Sequence, residues 1–298
     1  MSNAMKVPDL MPIRKWIIWL VLPLFLPLFV GCSAVRLTYN QGPVLAYWWL
    51  DGYADFNSEQ TPRVKAALAD WFSWHRATQL PEYAQALVAL QAQSVDKITP
   101  AQICSTVQAW QQRGQRAFEH AVPALAEQVR SMTPEQIRQV ERRQAKKHDE
   151  AVADYLQSVP AERQKANVKR ALDRAETAYG TLDREQRQRL AQDLAASRFN
   201  PDTWLAERQR RNSEILRSLR QWQAERSDAD TVQAGLRRLG AEVLQSPRAD
   251  YKAYADAVMD ANCSLAATLH NSASTAQRQH LLAKVKGWEG DVRALMLR

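Results

Sequence analysis

Thr99-Pro100-Ala101-Gln102 opens a run in which Ile103, Val107, Trp110, Phe118, Val122, Leu125 and Val129 recur at helical spacing. Apolar residues three and four apart share one face of an α-helix. The opening is helix-start chemistry. A threonine hydroxyl accepts from an orphan backbone N–H, proline occupies the first helical position, and a glutamine at the third reaches back to the cap. Thr133-Pro134-Glu135-Gln136 repeats the pattern, and Leu182-Asp183-Arg184-Glu185-Gln186 and Ser274-Thr275-Ala276-Gln277 are looser versions. Ser158-Val159-Pro160 is looser still. The chain has only nine glycines and no strand-like alternation. It reads as all-α, a multi-helix bundle.

The stripes vary in thickness along the chain. The helix from Thr133 is apolar at Ile137 and Val140, then polar all round from Glu141 to Glu150. Residues 161–226 are rich in arginine and glutamine, with apolar positions as sparse as Leu172, Leu190, Leu194, Leu205, Leu219 and Trp222. The expectation is a pair of long helices standing off the body, with residues 141–226 the projecting section. Val232, Leu236, Leu239, Val243 and Leu244 thicken the stripe again, and Leu281, Val285, Trp288, Val292 and Leu295 form the last seam.

Towards the amino terminus, Met1 to Ala4 reads as an expression scar and is set aside. Arg14 and Lys15 precede an uncharged apolar stretch from Trp16 to Val30, which ends in Gly31-Cys32-Ser33. A spanning helix needs about 20 apolar residues, and Pro23 and Pro27 would interrupt this one. Residues 1–31 therefore read as a cleaved signal, with an uncleaved inner-membrane anchor as the alternative. Leu28-Phe29-Val30-Gly31-Cys32 resembles the lipobox of Gram-negative lipoproteins, with Phe29 standing where that pattern has leucine. The resemblance implies a lipid on Cys32. Ser33 lacks the aspartate that marks inner-membrane retention, so the implied address is the periplasmic face of the outer membrane.

The domain reading follows. Residues 32–58 form a lipidated, aromatic, membrane-proximal segment, and residues 59–298 a single helical domain. The aromatic segment holds Tyr39, Tyr47, Trp48, Trp49, Tyr53 and Phe56. These rings either lie in the membrane interface, where Trp and Tyr concentrate, or belong to a short helix packed on the body. Tyr39-Asn40, Trp49, Asp51 and Tyr53, then Trp74-His75-Arg76 with Leu80-Pro81 and Tyr83, resemble the opening of an uncharacterised family of Gram-negative lipoproteins. That family implies no activity.

The net charge of +8 is mildly basic, and a periplasmic address makes nucleic acid a poor partner. Cys104 and Cys263 remain once Cys32 is assigned to lipid. In an oxidising compartment they are a candidate disulfide, the alternative being two buried thiols. His75, His120, His148, His270 and His280 are scattered, with no metal-ligand spacing. No nucleophile motif or phosphate loop occurs. A non-enzymatic protein without cofactor or metal is expected. Trp71, Trp74, His75 and Arg76 are the candidate binding cluster, where an imidazole and a guanidinium near aromatic rings could hold an anion, the favoured alternative being a structural imidazole bonded inside the helical core. The apolar-cap-x-x-Gln strings are similar to the LTxxQ motif of Spy-type periplasmic chaperones, which cradle unfolded clients. The expected function is a tethered, chaperone-like binding protein for envelope proteins or unfolded chains, with a scaffold serving one defined envelope partner as the alternative.

Overall fold

The computed structural model describes residues 34–297. The expected signal, expression scar and lipid-bearing Cys32 lie outside the described residues. Among the described residues the chain is helical with no strand. The helices are α1 (Ala34–Asn40), α2 (Gly42–Ala54), α3 (Gln60–Trp74), α4 (Leu80–Gln93), α5 (Pro100–Arg130) and α6 (Pro134–Tyr155). There follow α7 (Pro160–Tyr179), α8 (Arg184–Ala195), α9 (Pro201–Glu225), α10 (Ala229–Leu244), α11 (Ala249–Ser272) and α12 (Thr275–Met296). The main packed pairs are α4 with α12, α5 with α10 and α11, and α6 with α9.

Four of the five helix starts singled out in the sequence are complete capping boxes, at Thr99, Thr133, Asp183 and Ser274. Val159, after Ser158, makes no side-chain cap. A further start has the same geometry. The Asn57 Oδ1 accepts from the Gln60 N–H at 2.9 Å, and the Gln60 Oε1 accepts from the Asn57 N–H at 3.2 Å.

Two pairs of these starts interlock through their glutamines. Gln60 Nε2 donates to Gln136 Oε1 at 3.2 Å, and Gln136 Nε2 donates to Gln60 Oε1 at 2.6 Å. The spare protons go to backbone: Gln60 to the Ser131 carbonyl at 3.0 Å, Gln136 to the Asp55 carbonyl at 3.0 Å. Gln186 and Gln277 repeat this at 2.9 and 2.8 Å, with spare protons on the Ser272 and Thr181 carbonyls. In all four cases the carbonyl belongs to the residue two places before the partner's cap. Gln60, Gln136 and Gln186 are buried, and each amide of the four has two donors and two acceptances satisfied. A buried amide left half-satisfied is costly, so α3 is fixed against α6, and α8 against α12, in one register.

The main apolar cluster joins Ala54, Ala126, Met132, Ile137, Leu216, Leu219, Trp222 and Val232, and a second joins Ala175, Leu182 and Leu190. The projecting section therefore needs correction. From Ala175 to Trp222 the supposedly detached helices supply much of both clusters. Between 141 and 174 only Ala151 is buried, so the thin stripe is real there alone. Small residues let these helices approach closely, and the methylenes of arginine and glutamine cover what lies beside the stripe. Elsewhere Trp288 is 41% exposed and Val243 58% exposed, so neither belongs to the seam the period assigned it. Gly235 faces the Trp222 ring so closely that a Cβ there would clash with it, which is how α10 seats against α9.

Glu207 on α9 is 1% exposed. Arg210 donates to both of its oxygens and Ser246 donates to Oε1 at 2.8 Å. Burial pushes its pKa up, but these bonds and the charges of Arg210 and Arg211 outweigh that and hold it below the ordinary carboxylate value. Arg210 reaches on to Glu242 at 3.2 Å, tying α9 to α10. Cys104 and Cys263 are joined by a disulfide between α5 and α11, with Cα atoms 5.5 Å apart.

Two outcomes are expected. Gln60→Ala and Gln136→Ala should each cost about 2 kcal/mol in urea unfolding, and the double variant should cost less than their sum by about 1 kcal/mol. Strict additivity would mean the amides do not act as a unit. Reducing the disulfide opens a loop of 159 residues and should destabilise the fold by up to about 5 kcal/mol in the chain-entropy limit, read as a lower Tm with reductant.

Candidate functional site

The sequence-derived cluster is assembled around a π-turn, His75–Gln79, between α3 and α4. Pro81 has no N–H to give the helix, and the Leu80 N–H instead reaches the His75 carbonyl, a widened turn that accommodates the missing donor. The His75 ring stacks on Trp71 with centroids 4.8 Å apart. Its Nδ1 meets the Tyr39 hydroxyl at 2.9 Å and its Nε2 the Tyr83 hydroxyl at 3.3 Å. Trp71 donates its indole N–H to the Ala117 carbonyl at 3.0 Å, and Trp74 stacks on His120 at 3.7 Å. Arg76 donates to the Leu295 carbonyl at 2.6 Å and to Asn40 Oδ1 at 3.2 Å. It thus binds the carbonyl end of α12, where a cation opposes the helix dipole, and ties it to α1.

The structure brings Trp71, Trp74, His75 and Arg76 together but engages the polar atoms of Trp71, His75 and Arg76 within the fold. His75 is 7% exposed with both ring nitrogens engaged. The anion-binding reading is set aside in favour of the structural one.

A different site was not singled out in the sequence. The end of α6, α7, α8, the start of α9 and α11 enclose an open groove of about 530 Å³. Its aromatic wall is Tyr155, Phe199 and Trp204, with Tyr155 and Trp204 centroids 5.0 Å apart. Leu194, Leu265 and Leu269 add aliphatic surface over the buried Leu190. Arg170 and Arg174 line it with charge, Arg170 lying 4.4 Å over the Tyr155 ring. At one end Tyr179 is fixed by His270. The His270 Nε2 donates to the Asp96 carbonyl at 2.8 Å, so its Nδ1 accepts from the Tyr179 hydroxyl at 2.9 Å. Burial pushes the Tyr179 phenol up to about 12, against the lowering charge of Arg278. It is a donor, not a base, at neutral pH. The available signal was the aromatic pair Phe199 and Trp204 flanking Asn200-Pro201 in an otherwise arginine-rich stretch.

Among the described residues no group of three or more His, Cys, Asp or Glu could hold a metal ion, and no helix is long and apolar enough to cross a membrane.

His75 generates a pH prediction. Burial lowers its pKa from the ordinary 6.5, so the folded state binds this proton less readily than the unfolded chain. The stability from the neutral ring is then present in full above 6.5 and is lost as pH falls from there through the lowered folded value. Tyr39 is pushed up to about 12, burial outweighing the Arg76 charge that lowers it, so its hydroxyl stays protonated throughout. Tm should fall between pH 7 and about 5, and His75→Gln should flatten that slope while lowering Tm at pH 7. An unchanged slope in the variant would assign the pH dependence elsewhere.

No curated protein and no solved structure matches the chain. Residues 52–247 match DUF6279, a family of unknown function, and the chain belongs to that family.

Proposed function

We propose that this protein is a lipid-anchored binding protein on the periplasmic face of the outer membrane, which receives apolar segments of other polypeptides without catalysing a reaction. The observation that carries the reading is the groove. It is open, floored by aliphatic and aromatic side chains, and edged by Arg170 and Arg174. Aromatic rings and arginines give large contact area with adaptable polar edges. An exposed apolar groove of this kind fits segments that vary in sequence, which is the chaperone-like form of the function. Gly31-Cys32 supplies the address, with the acyl chains on Cys32 as the anchor.

The strings that resemble the LTxxQ motif support the reading less directly. Their glutamines are spent on capping and, at Gln136, Gln186 and Gln277, on a second glutamine, so they build the frame and leave recognition to the groove.

The protein should suppress aggregation of unrelated denatured clients at near-stoichiometric ratios without ATP. Trp204→Ala combined with Leu194→Asp should weaken that by at least about tenfold, the loss of one hot-spot contact. Clients left to aggregate, with one defined envelope partner retained instead, would make the protein a scaffold. Cys32→Ala should abolish lipid labelling and release the protein from membranes; retention would restore the uncleaved-helix alternative.

A further inference from the structure

The helices that follow Cys32 have two unlike faces. One packs on the body. Tyr39 bonds His75, Tyr47 is buried under Lys65 and against Thr61, and Gly42 is pressed on the Phe72 ring. The other is bare: Leu37 is 58% exposed, Leu45 50%, Trp48 65% and Trp49 61%. Every exposed residue from Ala34 to Gly52 is uncharged. The two charged residues of this stretch are engaged within the fold. Arg36 pairs with Asp291 at 3.0 Å, and Asp51 accepts from the Phe56 N–H at 3.0 Å.

We infer that this face of α1 and α2 lies in the interfacial layer of a phospholipid bilayer, so that the body is held in a set orientation rather than swinging from its anchor. The inference rests on the lipid anchor proposed above, and covalent geometry then names the occupant. Ser33 alone separates Cys32 from Ala34, so two residue steps span at most about 7 Å. The amino end of α1 is therefore confined to the headgroup region whatever the rest of the chain does. A tryptophan pair on an uncharged helical face, beginning at that depth, has the chemistry of interfacial helices. The back of the helix is already packed, so docking needs no folding step and adds little ordering cost.

The test uses the full-length lipidated protein in vesicles of phosphatidylethanolamine and phosphatidylglycerol with brominated acyl chains. The bromines should quench part of the tryptophan emission. Trp48→Phe with Trp49→Phe should remove most of that quenched part, and Leu45→Glu with Trp48→Glu should also abolish it by lifting the face. Unquenched Trp48 and Trp49 overturn the inference. So does protection from acrylamide without vesicles, which would put a second copy on the face. Quenching that disappears at one copy per vesicle likewise points to self-association. The anchor is read separately, from the acyl mass on the Cys32 peptide, so its failure is distinct from failure of the face.

Discussion

The fold depends on the reciprocal glutamine pair. A helix start leaves four N–H groups without partners, and a capping box satisfies two of them. That use leaves the glutamine with both amide protons and one carbonyl lone pair unspent. Setting two boxes against each other consumes what remains: each amide bonds the other, and each spare proton takes a carbonyl from the loop leading into the other helix. The bonds fix direction, distance and register at once. A slip of either helix would strand several buried polar groups, a penalty that apolar packing alone would not impose. The pairing occurs twice with the same offsets, and loops 55–60 and 131–136 correspond to loops 181–186 and 272–277.

That constraint explains what could be read in advance. Capping residues are local, and Thr99, Thr133, Asp183 and Ser274 announced their helices from four residues each. The pairing of the boxes was not legible, because Gln60 and Gln136 are 76 positions apart and nothing in either string names its partner. The same blindness produced the projecting section. Leu190, Leu205 and Leu219 looked too sparse to hold a helix down, but a sparse stripe suffices when another helix has been locked opposite it. Ala151 and Ala175 carry little signal in a hydrophobic pattern and are nonetheless buried.

The candidate sites divide in a similar way. Trp71, Trp74, His75 and Arg76 form one cluster in the chain and one in space, so they were easy to find. Their role was decided by residues far away, among them Tyr39, Ala117 and Leu295, which take up the atoms that a ligand would have needed. The groove is the reverse case. Tyr155, Arg170, Leu190, Trp204 and Leu269 come from five separate helices. Aromatic content near Asn200-Pro201 was visible, but concavity is a property of assembly alone.

The groove also depends on the frame for its shape. Gln186 stands four residues before Leu190 and pins the start of α8 to α12. Tyr179, through His270 and the Asp96 carbonyl, pins the end of α7 to α11 and to the loop after α4. Polar bonds beneath the groove therefore add direction to walls whose leucines are already packed together. Apolar packing is non-directional, so the orientation of these walls must be fixed by something else. Directional hydrogen bonds between buried amides, imidazoles and phenols supply that fixing. They set the walls before any segment arrives, so that association is spared the cost of ordering them.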